Sequence, residues 1–452
     1  MGVVALADFG STYTKVRLVD PAAGRLLARA ESPTTTGTDL MDGYAAALEA
    51  ARRSAGPEVP IDEQLAVSSA GGGLRVAAVG LVEDLTAAAA RQAALNSGAR
   101  IELVLAGMLA EEQLDELEAA QPEIVLFAGG TDGGQAEMVV ENARRLGARR
   151  LGGNAVVACN AEVAAEAAAL LDPGGGRVEV AANVMPELGR LEIEPARRAI
   201  LRLFLEHVIG GKGLSGSAEF QRMVRLPTPE AVLEATRLLG DAVVVDIGGA
   251  TTDVHSNRLR EVETPGVEDP LLPPPLTLRT VEGDLGMRFG APGVAAVDGG
   301  WIEAETGAGE AAIRQAVSRR ERDPQWLPEG ADELRFDATL AIGCAAQAIG
   351  RHCGTMLLTP GRKGPPTLVR TGPDLREAAL VLGTGGVFAH RDDGEAILRE
   401  ALKRRGPRSL APSDPVLGVD SNYVLAAAGL LAVEDRGGAE NLLRRELGLA
   451  FD

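Results

Sequence analysis

Two periodicities alternate along this chain. Short apolar runs at residues 5–9 (ALADF) and 15–20 (KVRLVD) predict strands joined by a turn at 10–14, and LLARAESPT at 26–34 predicts a third. Residues 40–54 then space apolar side chains as one face of a helix. QLAVSSAGGG (64–73) reads as strand and glycine loop, 81–94 as a helix, and PEIVLFAGGTDGG (122–134) as a strand entering glycines, with a helix through residue 145. NAVVACNAEVAAEAAALL (154–171) predicts a strand and a helix. GGGRVEVAANVM (174–185) predicts a further strand, and residues 194–209 a longer amphipathic helix. Strands alternating with helices indicate an α/β fold with largely parallel or mixed sheets.

The pattern then restarts. DAVVVDIGGATTDVHSN (241–257) repeats the opening strand, turn and strand. A proline-rich stretch at 265–279 reads as loop, RTVEGDLGMRFGAPG (279–293) is punctuated by glycine, and residues 291–376 read as mostly helical. ALVLGTGGVFAH (379–390) is another strand entering glycines, and 421–433 an apolar helix with Asp420 or Ser421 as its N-cap. ALADFGSTYTKV therefore pairs in form with VVVDIGGATTDV, and more loosely IVLFAGGTDGG with ALVLGTGGVF. The order of both pairs predicts two related α/β halves, residues 1–235 and 236–452, the second with a helical insertion around 291–376.

Composition narrows the function. With 45 Lys and Arg against 64 Asp and Glu the chain carries a formal charge of −19, and aromatics make up 3%. That balance argues against nucleic acid as a partner, which requires a basic footprint and stacking surfaces. Three scattered cysteines suit a reducing cytoplasm better than a disulfide framework or a metal site. Asp8 interrupts the first apolar run, so no signal peptide is expected. No run approaches the roughly 20 apolar residues of a membrane helix.

The chemistry sits in the turns. A hairpin with glycine at its apex exposes consecutive backbone N–H groups to a phosphate, and neighbouring hydroxyls add donors. An Asp closing the preceding strand stands where it can hold Mg²⁺ through water. Asp8, Gly10, Ser11, Thr12 and Lys15 compose one such hairpin, and Asp246, Gly248, Gly249, Ala250, Thr251, Thr252 and Asp253 the other. Either alone reads equally as a plain hairpin; the repeat, each time with Asp at the strand end, points to a polyphosphate and its magnesium gripped from two sides. Asp8 and Asp246 are the candidate metal residues. The Walker A spacing is absent, since GGKG at 210–213 lacks the following hydroxyl, and the four histidines are dispersed.

These motifs resemble the actin, hexokinase and heat-shock chaperone superfamily of ATP-binding proteins, over most of the chain and in order. The resemblance implies two actin-like (ribonuclease H-like) domains with a nucleotide cleft between them. It matches Gly383, Thr384, Gly385 and Gly386 to the adenosine-contacting turn, and Gly283, Asp284 and Gly286 to a second glycine loop. Ala250 departs from it, standing where the heat-shock relatives carry a third glycine. More narrowly, DFGSTYTKV, FAGGTDGG, DIGGATTDV, RTVEGDLGMR, GTGGVFAH and the D-x-N-Y beginning at Asp420 resemble the GlmL family, also labelled MutL. These are accessory proteins encoded with adenosylcobalamin-dependent mutases such as glutamate mutase. The resemblance implies ATP or ADP with Mg²⁺ as cofactor, a mutase subunit as partner, and a role like that of the dehydratase reactivases. In this reading Asp132, or Glu162, orients the attacking water; Asp132 reads equally as a turn-forming Asp-Gly. The alternative is a small-molecule kinase of the same superfamily.

Overall fold

The structure, a computed structural model, describes residues 2–56, 58–70, 72–149, 153–171, 176–208, 213–262, 264–359 and 366–449. Residues 210–212 of the GGKG segment, and residue 209 at the expected end of helix 194–209, lie outside them. In chain order the strands are β1 (Val4–Phe9), β2 (Tyr13–Asp20), β3 (Arg25–Pro33), β4 (Glu63–Ser68), β5 (Leu74–Val79), β6 (Ala99–Leu105), β7 (Ile124–Gly129), β8 (Asn154–Cys159) and β9 (Val178–Val180). They continue with β10 (Val224–Pro227), β11 (Ala242–Ile247), β12 (Thr252–Asn257), β13 (Val267–Glu268), β14 (Thr277–Glu282), β15 (Thr355–Thr359), β16 (Thr367–Thr371), β17 (Leu380–Thr384) and β18 (Val416–Val419).

Two sheets share one topology. In the first the order is β3-β2-β1-β4-β10, in the second β14-β12-β11-β17-β18. In each, the second strand runs antiparallel to both neighbours and the other pairs are parallel. This repeated 3-2-1-4-5 order is the actin-like, ribonuclease H-like arrangement expected from the sequence. The innermost strands, β1 and β11, are buried along nearly their whole length, which is why they read as unbroken apolar runs. Helix Leu40–Ala55 covers the first sheet with Leu40, Tyr44, Ala47 and Ala51, one helical face. Asp39 caps its start by accepting from Met41 N at 2.8 Å, and Gly56 ends it at φ 109°.

The third sheet was not expected. Between β4 and β10, strands β5 to β9 form a separate sheet of order β6-β5-β7-β8-β9, parallel throughout. One face, carrying Val76, Leu126 and Val156, joins the core of the first sheet beneath helices Ala88–Asn96 and Glu194–Leu203. The other, carrying Val79, Phe127 and Val157, is covered by helices Glu111–Ala120, Glu137–Ala148 and Ala164–Leu171. This is a doubly wound 2-1-3-4-5 module inserted into the actin-like domain. It corrects the looser of the two sequence pairings: β7 belongs to the insertion, and the counterpart of β17 is β4, which enters SSAGGG. Both strands were apolar and glycine-ended because any parallel strand buried on two faces and feeding a turn has that form.

The region expected to be mostly helical, 291–376, holds helices Ala291–Thr306, Glu310–Arg322 and Ala331–His352, and then turns to β structure. β15 and β16 form an antiparallel ribbon that β13 extends into a three-stranded sheet. By packing, the chain divides into two compact units. One comprises Met1–Ala235, Leu271–Pro273 and Ala426–Arg445; the other Thr236–Pro270, Pro274–Leu425 and Glu446–Asp452. Among the described residues no helix is long and apolar enough to cross a membrane. Cys159, Cys344 and Cys353 are free and buried, and burial pushes the Cys159 and Cys344 thiols up to about 12, so neither is a thiolate near neutral pH.

Candidate functional site

The first hairpin closes with Gly10 N donating to Tyr13 O at 3.2 Å, leaving Ser11 and Thr12 exposed at the apex. Thr34, just past β3, braces it: its hydroxyl donates to Gly10 O at 2.9 Å and its N–H to Thr12 O at 2.9 Å. Asp8 lies opposite Lys15 in the β1–β2 register, and Lys15 Nζ stands 3.6 Å from Asp8 Oδ2. The other carboxylate oxygen, Oδ1, accepts from Thr228 Oγ1 at 2.7 Å. Thr228 opens the helix Thr228–Leu238 that follows β10. Thr-Pro-Glu at 228–230 is a legible helix start; that its hydroxyl reaches a residue 220 positions earlier is not.

The second hairpin repeats the closure, with Gly248 N donating to Thr251 O at 2.9 Å and Gly249 and Ala250 exposed. Here the position of Lys15 is taken by Asp253, opposite Asp246. Asp253 is turned into a buried ion pair with Arg279 of β14, Nη2 to Oδ2 at 2.8 Å. Thr252 is also buried and donates to Leu285 O at 3.0 Å. The apex therefore offers Gly248, Gly249, Ala250 and Thr251 outward, and holds Thr252 and Asp253 inside.

The glycine loop after β14 lies against this apex. Met287 N donates to Gly248 O at 3.0 Å and Arg288 N to Gly249 O at 2.7 Å. A Cβ on Gly286 would come within 2.7 Å of Gly249 O and of the Ala250 carbonyl carbon, so glycine there permits the two backbones to meet. Gly283 is exposed. Asp284 is held by Arg351 through both oxygens, at 2.7 and 3.0 Å, and that guanidinium lowers its pKa below the usual carboxylate range.

β17 delivers the third element. Its Thr384 lies beside Asp246 in the parallel register, and Gly385 follows at φ +101°. A Cβ on Gly385 would stand 2.9 Å from Asp246 Oδ1. Gly383 packs flat against the Phe388 ring, and Gly386 opens the short helix Gly386–Ala389. The D-x-N-Y segment holds this turn from behind. Asp420, fully buried, accepts from Thr384 Oγ1 at 3.1 Å, Val424 N at 2.8 Å and Leu425 N at 3.1 Å, so Asp420 is the cap of helix Val424–Leu431.

Asp132 and Glu162 are neighbours, but on the inserted sheet. Asp132 Oδ1 accepts from Ala161 N and Asn183 Nδ2, each at 2.9 Å, and Glu162 N donates to Asn160 Oδ1 at 3.0 Å. Both follow the carboxyl ends of parallel strands. The amino end of β5 is the end tied to the first hairpin, since Ala70 N donates to Phe9 O at 3.0 Å. Five strand residues at about 3.3 Å each put the carboxyl edge roughly 17 Å further along. Within the first unit the structure gathers Asp8, Lys15 and Thr228 and, apart from them, Asp132 with Glu162; within the second it gathers Asp246, Thr384 and Gly385.

The donor set suits magnesium. Among the described residues no group of three or more His, Cys, Asp and Glu converges as an all-protein cage. Each hairpin instead offers one carboxylate, and both oxygens of Asp8 already face a hydroxyl or an ammonium. That is the environment of an ion that keeps its waters and takes its remaining ligands from phosphate.

A family model described as MutL protein matches residues 4–447. Protein MutL of Clostridium tetanomorphum is 37% identical over 462 residues, 99% of this chain and 99% of that protein. Among solved structures, nucleotide-free acetone carboxylase is similar at 14% identity and TM-score 0.37, over 95% of this chain and 70% of that one. A glycerol dehydratase reactivase is similar at 13% and 0.35, over 96% and 99%. By the family model and the full-length relative, the chain belongs to the MutL protein family.

Proposed function

We propose that this chain binds ATP with Mg²⁺ through its two hairpins and acts as an accessory, chaperone-like ATPase for an adenosylcobalamin-dependent mutase of the glutamate mutase or aminomutase type. The observation that carries the nucleotide reading is the repeat. Two sheets of one topology each carry an Asp one residue before the end of their innermost strand, followed by a hairpin closed by the same glycine hydrogen bond. Membership of the MutL family, with the motif resemblance to proteins encoded beside such mutases, supports the partner.

On this reading the N–H groups of residues 11–12 and 249–251 receive phosphate oxygens, with the Ser11, Thr12 and Thr251 hydroxyls as further donors. Lys15 adds a point charge beside the first loop. Asp8 and Asp246 hold the water shell of the magnesium, which when bound neutralises triphosphate charge. Gly383 to Gly386 present backbone to the adenosine. Asp132, or Glu162, is the carboxylate that orients the attacking water. A mutase responds to the nucleotide only as far as it binds the ATP and ADP forms with different affinity.

The test is capture of a cobalamin-dependent mutase by the tagged full chain, with ATP or with ADP. Nucleotide-dependent capture is the expected result, and capture in neither state sinks the partner reading. ADP release that depends on an added sugar or carboxylate substrate would assign the chain to the kinases instead.

A further inference from the structure

The second unit contains a cavity of about 390 Å³ that the nucleotide reading does not use. Its walls are the last turns of helix Ala331–His352, the end of helix Gly394–Lys403 and the segment 404–411. That segment is fastened on several sides. Arg408 O accepts from Met356 N, Leu410 N donates to Gly354 O and Leu410 O accepts from Leu375 N, each at 2.9 Å. Leu375 lies ahead of the amino end of β17, whereas Gly385 follows its carboxyl end, so the cavity and the Asp246 hairpin sit at opposite edges of one sheet.

Three arginines line the cavity, and no carboxylate does. Arg404 is neutralised: it forks onto Asp298 at 2.8 and 2.9 Å and lies over Trp301 at 3.9 Å. Arg405, exposed like Arg408, rests its guanidinium on the neutral carbonyls of Leu402 and Pro412, at 3.5 and 3.2 Å, with no carboxylate partner among the described residues. Arg408 makes no side-chain hydrogen bond or ion pair among the described residues and is exposed at the rim. The hydroxyls of Thr355 and Ser409 stand in the same wall, while the floor is apolar, with Ile349 and Leu402. Gly350 lines the same space and is exposed, and a Cβ there would meet no heavy atom within 4 Å.

We propose that this cavity is a second ligand site, for a small organic dianion with an apolar body: a dicarboxylate or a phosphomonoester. Two guanidiniums at one rim with no carboxylate partner among the described residues can take two negative charges, and planar guanidinium forks match carboxylate and phosphate oxygens alike. The apolar floor calls for a carbon skeleton between or behind those charges. The volume falls within the roughly 300–1,000 Å³ of small-molecule sites. A site at this edge of the sheet binds independently of the phosphate hairpins, so it stands or falls apart from the ATP reading.

The experiment is calorimetric titration of the full chain with succinate, phenyl phosphate and inorganic phosphate. Saturable binding of succinate or phenyl phosphate is expected, and which of the two binds tells carboxylate from phosphate. Arg408→Gln should weaken that binding at least tenfold. Gly350→Leu, which adds a bulky side chain at the cavity wall and improves helix propensity, should weaken it at least tenfold with the melting temperature retained. Asp246→Ala should leave it unchanged. The proposal is overturned if neither organic anion binds, if inorganic phosphate binds as tightly as phenyl phosphate, or if Gly350→Leu binds like the wild type.

Discussion

Gly385 stands against Asp246 so closely that a Cβ at 385 would come within 2.9 Å of the Asp246 Oδ1 atom, and its φ of +101° is one that side chains rarely adopt. The turn that resembles an adenosine platform and the carboxylate that resembles a magnesium holder are thus fitted to each other within one sheet. Gly385→Ala must strain the backbone, at about 1–3 kcal/mol, and displace both the Ile247 carbonyl, which such a Cβ would meet first, and the carboxylate. The expected outcome is a folded chain with a lowered melting temperature and ATP affinity reduced at least tenfold by calorimetry. Wild-type affinity in this variant would separate Asp246 from the nucleotide.

Asp8 poses the corresponding question in the first unit, where its Oδ1 depends on the Thr228 hydroxyl. Thr228→Val keeps the shape and removes the donor. A hydrogen bond to a charged group contributes about 1.5–3 kcal/mol, so magnesium-dependent ATP binding should weaken about tenfold or more, and Thr228→Ser should restore it. Equal affinity in the Val and Ser variants would show that the hydroxyl only caps its helix.

The two hairpins were legible because their chemistry is local: Asp, glycine and hydroxyls within a few residues, repeated once. What was not legible is whatever depends on distant partners. Thr228 and Asp8 are far apart in sequence, and Arg279 draws Asp253 inward at a position where Lys15 faces Asp8 in the twin hairpin. The inserted sheet was hidden for a related reason. LRVAAV at β5 and ARIELVL at β6 are short and carry no turn signature of their own, so the sequence alone does not tie β7 to its true neighbours. Helices dominated the reading of 291–376, and the β15–β16 ribbon was missed because its strands alternate half-buried and exposed side chains with little apolar contrast.

Ala250 stands where the heat-shock relatives carry a third glycine, and the crowded position beside it is Gly286. Ala250 is exposed at the apex and is not among the described residues with left-handed backbone, so its methyl costs nothing locally. Gly286 is the position with no room. Ala250→Gly should change ATP affinity by less than about threefold, roughly 0.6 kcal/mol. Gly286→Ala should lower both the melting temperature and ATP affinity, because the loop bonded to Gly248 and Gly249 must move. Calorimetry on the pair decides it: a large gain from Ala250→Gly with no loss from Gly286→Ala would reverse this assignment.

His352 supplies a pH dependence. It is buried between Thr280 Oγ1 and Ser256 Oγ, each at 2.8 Å, and burial, helped by the Arg258 charge, pushes its pKa down from 6.5 to about 3. The unfolded chain takes up a proton below about pH 6.5 that the folded chain refuses until about pH 3, so stability falls as pH drops through that window. Between pH 7 and pH 5 the loss from this one group is about 2 kcal/mol. His255, buried beside Arg279 and His352 and also shifted down, adds in the same direction. Urea unfolding at the two pH values measures the sum. His352→Gln should remove about one proton's worth of the slope, while an unchanged slope would mean that His352 binds its proton equally in the folded and unfolded chains.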